Sequence, residues 1–226
     1  MRELFSAIAP TYDRLNRIMS LRLDLRWRRA AVDRLDWERA PEGTYLDLCA
    51  GTLDFAAALA KRPGFGGRIV AADFAQPMLQ HGRHKSERAA PVTSDALALP
   101  FRTASFDGAM MGWGARNLPD LDAGLAEAAR VLTPGARLVI LEMAMPPRQP
   151  LRAIYLAYFE RVLPAVGRLI SKHRTAYSWL PASARAFPSP ESFAERIRRA
   201  GFANVSFSRF MGGVITLHVA TRDAAS

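Results

Sequence analysis

Thr44-Tyr45-Leu46-Asp47-Leu48-Cys49-Ala50-Gly51-Thr52-Leu53-Asp54-Phe55 is the stretch that decides the fold. A short apolar run ends in a turn of small residues, and the turn opens directly into an Ala/Leu helix, Asp54 to Lys61. A buried parallel strand feeding a helix through a glycine turn has this pattern. Ala50 and Gly51 leave almost no side chain in the way, so backbone can come close to a ligand there. The next strand, Arg68–Asp73, also ends on an acid. A dinucleotide turn would carry G-x-G-x-x-G ahead of its helix. This turn has a single glycine between Asp47 and Asp54, and those carboxylates would repel a pyrophosphate. The pattern suits a cationic or neutral nucleoside, with Asp73 accepting hydrogen bonds from ribose hydroxyls. S-adenosyl-L-methionine, a sulfonium without phosphates, fits; NAD does not.

Outward from this stretch, strand and helix patterns alternate. A helix over about Gln76–Ala89 leads to a short strand, Ala90–Ser94, that ends at Asp95-Ala96. A strand at Ser105–Gly112, a helix at Leu121–Leu132 and a strong strand at Ala136–Glu142 come next. This succession predicts an α/β fold, a doubly wound and mostly parallel sheet with helices on both faces. Ligands of such sheets sit outside the carboxyl ends of the strands, and Asp47, Asp73, Asp95, Gly112 and Glu142 all fall at or near those ends. Asn204–Phe210 and Val214–Thr221 alternate as two further strands joined through Gly212-Gly213, which predicts a C-terminal antiparallel hairpin. Seven strands closed in this way are the usual arrangement of S-adenosylmethionine methyltransferases.

The flanking segments are helical and basic. Met1–Arg39 is rich in Arg and carries Leu15, Ile18, Met19, Leu25, Ala30 and Val32 at helical spacing, with a turn expected at Ala9–Asp13 and Thr11 or Asp13 as its N-cap. Residues 1–40 are thus expected as a cap of two short helices that could cover a site. Residues 146–190 are expected as a helical insertion: Pro146, Pro147 and Pro150 break the chain, and Leu151–Ile170 reads as an amphipathic basic helix divided at Pro164. Packing on the sheet is favoured for it over membrane contact. A last helix, Glu191–Ala200, stops at Gly201. The length of 226 residues suits one domain. The net charge of +10 calls for an anionic partner, nucleic acid or membrane. No aromatic-and-Arg stacking motif supports nucleic acid. The single Cys49 excludes an intramolecular disulfide and agrees with a cytoplasmic location; in the turn it reads as a small buried hydrophobe rather than a nucleophile. His81 and His84 stand three apart without a carboxylate or Cys partner, so no metal site is expected, and His173 and His218 are isolated.

Longer stretches carry a family likeness. Phe5-Ser6-Ala7-Ile8-Ala9-Pro10-Thr11-Tyr12-Asp13-Arg14-Leu15-Asn16 resembles the opening, F…A-x-x-Y-D-x-x-N, of the ubiquinone/menaquinone biosynthesis C-methyltransferase (UbiE-type) family. Leu25–Arg29, Asp95–Phe101, Arg130–Leu138, Leu163-Pro164, Tyr177 with Leu180, and Gly213-Val214 with Leu217-His218 are similar to later family segments. Trp113-Gly114-Ala115-Arg116-Asn117-Leu118-Pro119-Asp120 resembles F-G-x-R-N-x-x-D, its most specific element. The likeness runs nearly end to end. It departs at Leu53, where the family's G-G-T-G-D turn has glycine, and at Gly112, where serine is frequent.

This resemblance implies S-adenosyl-L-methionine as cofactor. Gly51 and Thr52 would line its methionine and ribose side, with Asp47 in the same set. Asp73 would hold the ribose, Met78 would pack on the adenine, Asp95 and Ala96 would flank it, and Gly112 would lie beside the cofactor. It implies as substrate a prenylated quinol, demethylmenaquinol or its benzoquinol counterpart, at the inner face of an anionic membrane, with a homodimer allowed. C-methylation of such a ring needs electron density on carbon, which an ionised ring hydroxyl supplies. A guanidinium is a poor base, but Arg116 can stabilise the phenolate or hold a water that takes the proton. Asn117 would orient the same group, and Tyr12 would close over the site. The alternatives are structural: a salt bridge from Arg116 to Asp120, and Asp73 as a helix N-cap. Two other functions stand beside this one, methyl transfer to another small molecule or lipid amine, and a non-catalytic scaffold whose pocket Leu53 blocks.

Overall fold

The computed structural model describes residues 2–158 and 182–224. The second half of the helix expected to end at Ile170, with its division at Pro164, lies outside them, as do His173 and Tyr177–Leu180.

The strands are β1 (Thr44–Leu48), β2 (Arg68–Asp73), β3 (Ala89–Thr93), β4 (Phe106–Gly112), β5 (Leu132–Met143), β6 (Phe202–Phe210) and β7 (Ile215–Arg222). They form one seven-stranded sheet in the order β3-β2-β1-β4-β5-β7-β6. β1 to β5 pair in parallel, and β7 runs antiparallel to β5 and β6. The helices are α1 (Arg2–Met19), α2 (Asp24–Val32), α3 (Asp54–Ala60), α4 (Gln76–Gly82), α5 (Leu121–Val131), α6 (Leu151–Ala157) and α7 (Pro190–Arg199).

Side chains alternate across a pleated strand, and here the alternation divides the core in two. Tyr45, Met110, Val139 and Leu217 face one layer with Trp27, Phe55 and Leu59. Leu46, Met111 and Ile140 face the other with Leu125, Phe193 and Ile197. Both faces of the central strands are covered, which is why they are near-continuous apolar runs. α5 and α7 begin at side-chain caps: Asp120 accepts from the Ala123 N–H at 3.0 Å and Ser189 from the Ser192 N–H at 3.2 Å.

Register sets the position of the site. Leu48 pairs with Ala72 and with Met111, Asp73 with Thr93, and Gly112 with Leu141. The loops after β1, β2, β3, β4 and β5 therefore leave from one edge.

The N-terminal turn and the end of α4 depart from expectation. The turn expected at Ala9–Asp13 is instead the middle of α1, with Pro10 inside the helix. Pro10 is exposed, while Phe5, Ala9 and Tyr12 pack on Ala75 and Met78 of α4. That packing holds the helix together across a missing N–H. Thr11 and Asp13 are not caps: the Thr11 hydroxyl donates to the Ile8 carbonyl at 3.2 Å, and Asp13 binds Thr52 and Lys85. α4 ends at Gly82, well short of Ala89, and passes into a 3-10 turn, Arg83–Lys85; residue 82 is glycine because a Cβ there would be 2.3 Å from the Thr52 carbonyl oxygen.

α1 and α2 are fastened by charge. Asp24 binds Arg17 and Arg28; Asp54, the first residue of α3, binds Arg17 at 2.9 Å, Lys85 at 2.7 Å and Arg28 at 3.3 Å. These bases hold the Asp54 carboxyl below the usual carboxylate range against the effect of its burial. Buried ions are costly unless each is paired, and here acids and bases interleave.

Leu53 occupies the left-handed region at φ 62° and is fully buried in the Phe55–Leu59 layer. Leu53→Gly removes backbone strain of about 1–2 kcal/mol but also a buried leucine that contributes about 2–5 kcal/mol. We expect a net loss of stability, seen as a lower urea midpoint.

Candidate active site

The carboxyl edge of the sheet opens on a cavity of about 660 Å³, within the size range of small-molecule sites. Tyr12, Gly51, Asp73, Met78, Asp95, Ala96, Gly112, Arg116 and Asn117 all line it. Asp47 and Thr52 do not. Asp47 is 1% exposed beneath the turn, where its carboxylate accepts from the Ala56 N–H at 2.9 Å and holds α3 to β1. Thr52 is buried and gives its hydroxyl to Asp13, tying the turn to α1. Both were expected in the cofactor-binding set; instead Asp47 turns from within β1 toward the start of α3, and Thr52 turns from the loop toward α1.

One end of the cavity is acidic. Asp73 closes β2 with one oxygen accepting from the Gly51 N–H at 2.9 Å and the other from the Ala75 N–H at 2.8 Å. Asp73 is not the helix N-cap considered for it: Ala75 holds that position without a side-chain cap, and the second bond closes a turn just before α4. Burial raises the Asp73 pKa, and the N–H groups of Ala75, Gly51 and Phe74 oppose the rise. Gly51 has φ +53°, and the space its Cβ would take meets the Met78 methyl at 3.5 Å, so backbone and thioether form one wall. Asp95 is exposed at the rim and accepts from the Leu97 N–H at 2.9 Å. Cys49 also lines the cavity, but burial, then the Asp73 and Asp47 carboxylates, push its thiol well above its ordinary value. A thiolate nucleophile is thereby disfavoured.

The other end is built on Trp113. This residue is left-handed at φ 54° and its carbonyl accepts from both Arg116 Nη1 at 2.7 Å and Asn117 Nδ2 at 3.0 Å. Strain of this kind persists where its surroundings impose it. The salt bridge considered for Arg116 exists, but to Glu142 rather than Asp120. Arg116 Nη1 donates to Glu142 Oε1 at 2.6 Å, and the Arg116 N–H donates to Oε2 at 3.2 Å. Glu142 ends the apolar part of β5 and is fully buried; an acid closing such a run was the sequence signal for it. Arg116 Nε is buried without a hydrogen-bond partner among the described residues. Arg28 stacks its guanidinium on the Trp113 ring at 4.6 Å, so the α1–α2 ion network reaches this end too. The Tyr12 hydroxyl is raised by burial, opposed by a hydrogen bond with Asn16 and by the Arg116 and Arg28 charges.

Leu53 points into the core and does not line the cavity, so it does not block it. The missing side chain at Gly112 is accounted for by Phe55: a Cβ at 112 would lie 2.4 Å from the Phe55 ring.

A sheet in this order, with a small-residue turn after β1 and an acid closing β2, has the architecture of class I S-adenosylmethionine-dependent methyltransferases. A solved methyltransferase of this class from Thermotoga maritima has the same fold, with a TM-score of 0.67 at 19% identity over 98% of this chain and 99% of that one. The model of the ubiE/COQ5 methyltransferase family matches residues 1–222, and the chain belongs to that family. It is 47% identical to the demethylmenaquinone methyltransferase of Thermus thermophilus over 97% of this chain and 100% of that one. It is 38% identical to the enzyme of the same name from Lactiplantibacillus plantarum over 98% and 95%. The protein is an S-adenosylmethionine-dependent methyltransferase.

Burial raises the Asp47 pKa to about 7, opposed by the Ala56 N–H. A carboxyl whose folded pKa lies above its unfolded value holds its proton more tightly when folded. Its contribution to stability is complete below about pH 4 and declines as pH rises to about 7. Asp47→Asn keeps an acceptor for Ala56 without the ionisation. We expect the stability difference, variant minus wild type, to grow by a few kcal/mol between pH 4 and 8, measured by urea unfolding across that range.

Proposed function

We propose that this enzyme methylates a ring carbon of a prenylated quinol, demethylmenaquinol or a related benzoquinol, at an anionic membrane surface. The observation that carries this reading is the shared cavity: an acidic, backbone-walled end at Asp73 and Gly51, and a cationic end where Arg116 is held by Glu142 and the Trp113 carbonyl. The names of the relatives supply the substrate class. The charge of +10 supports the membrane surface, and no helix among the described residues is long and apolar enough to cross a membrane.

The residues fit the cofactor. Asp73 would accept from its ribose hydroxyls, Gly51 would let it approach the backbone, and Met78 and Ala96 would border the adenine. When bound, S-adenosyl-L-methionine supplies an electrophilic methyl group on a sulfonium. The chain's own groups prepare the acceptor. Arg116 offers a buried donor, Nε, and positive charge to a ring oxygen, stabilising the phenolate and raising electron density at the ring carbon. Asn117 and Tyr12 orient the same ring. The acceptor's ring proton, displaced once the methyl is on carbon, would pass to water. Glu142 fixes the guanidinium without meeting the substrate.

Calorimetric titration with S-adenosylmethionine should give micromolar binding in the wild type and at least tenfold weaker binding in Asp73→Ala. Arg116→Met should bind the cofactor as the wild type does but methylate a short-chain demethylmenaquinol at least about a hundredfold more slowly. Absence of quinol methylation by a wild-type protein that binds the cofactor would overturn the substrate assignment.

A further inference from the structure

Among the described residues, the large apolar side chains left exposed gather on one rim. Leu21 is 80% exposed, Ile154 62%, Met211 52% and Ile18 43%. They come from the end of α1, from α6 and from the β6–β7 connection. On α6, Leu151, Ile154 and Tyr158 recur at i, i+3 and i+7 and so share a face. Leu151 covers Gly212, whose Cβ would lie 2.2 Å from its Cδ2. At the other end of that face, the Tyr158 hydroxyl reaches the Met19 carbonyl at 3.5 Å, and Met19, Tyr158 and Val214 all pack on the cluster of Tyr155 and Ala184. Ile154 therefore stands between the hairpin tip and the α1–α2 turn. Leu21 and Arg22 in that turn are both left-handed, at φ 50° and 63°, a conformation unusual for leucine that here leaves its side chain in solvent.

The rim carries one sign of charge. Residues 14–23, 144–158 and 204–214 contain Arg14, Arg17, Arg22, Arg148, Arg152 and Arg209 and no Asp or Glu. Arg17 turns inward to Asp24 and Asp54, and Arg209 pairs with Glu191; Arg14, Arg22, Arg148 and Arg152 are exposed. The rim also borders the cationic end of the cavity. Tyr12 lines the cavity from α1, and Tyr155 of α6 feels the charges of both Arg116 and Glu142. Apolar side chains ringed by exposed arginines match an anionic lipid interface. They do not match a second copy of the chain, because a two-fold contact would set these arginines against themselves.

We propose that this rim is the membrane-docking surface, with Leu21, Ile154 and Met211 entering the interface and Arg14, Arg22, Arg148 and Arg152 lying on lipid phosphates. The cavity then faces the leaflet that holds the acceptor. This rests on the proposed prenylated substrate, but vesicle binding needs no substrate, so the two can fail separately.

The test is co-sedimentation with phosphatidylglycerol/phosphatidylcholine vesicles and with phosphatidylcholine alone, at low and high salt. Wild type should bind the anionic vesicles and release from them at high salt. Leu21→Asn/Ile154→Ser/Met211→Ser and, independently, Arg22→Gln/Arg148→Gln/Arg152→Gln should each bind at least tenfold more weakly. Both should keep wild-type cofactor affinity and wild-type turnover of a water-soluble short-chain quinol. Vesicle binding equal to wild type in both variants would overturn the proposal. So would a wild-type dimer in sedimentation that the apolar variant converts to monomer, since the rim would then be a self-contact.

Discussion

Because Leu48 pairs with Ala72 on one side and Met111 on the other, the chain leaves β1, β2 and β4 at the same edge of the sheet. That parallel register is the constraint on which the site depends. A strand slipped by one residue would turn its alternate side chains to the opposite face, exchanging the Tyr45 layer with the Leu46 layer. Asp73 would then no longer reach the Gly51 N–H. Two large apolar layers make such a slip prohibitive, so a few polar groups can be placed accurately on the edge.

The edge divides its charges. Asp73 places a carboxylate at one end of the cavity and Arg116 a guanidinium at the other, and each is fixed by neighbouring groups. The Gly51 and Ala75 N–H groups hold the carboxylate; Glu142 and the Trp113 carbonyl hold the guanidinium. Rate gained by positioning and by stabilising developing charge requires this kind of rigidity. The α1–α2 ion network extends it, since Arg28 joins Asp24 and Asp54 to the Trp113 ring.

Much of this was legible in the sequence because it lies in local patterns. The strand–turn–helix around Gly51, the acid at Asp73 and the Arg116-Asn117 pair all show in short segments with a chemical reason for their residue types. What was not legible depends on partners distant in the chain. Pro10 signals a turn until α4 is there to receive Ala9 and Tyr12. Asp47 and Thr52 share the neighbourhood of Gly51, yet the bends of the backbone send them to Ala56 and Asp13 instead of the cavity. Leu53 looks obstructive in a one-dimensional comparison; at φ 62° its side chain leaves the turn on the core side. Glu142 is one acid at a strand end until Arg116 arrives from another loop.

Gly112 and Phe55 belong to a cavity wall that two elements share. A Cβ at 112 and the ring at 55 compete for one volume, so a side chain at 112 requires the ring at 55 to move or shrink. A lineage that acquired a hydroxyl at 112 would first have to shrink residue 55, and the reverse order passes through an overpacked intermediate. The glycine and the phenylalanine are thus matched as a pair by the volume they share.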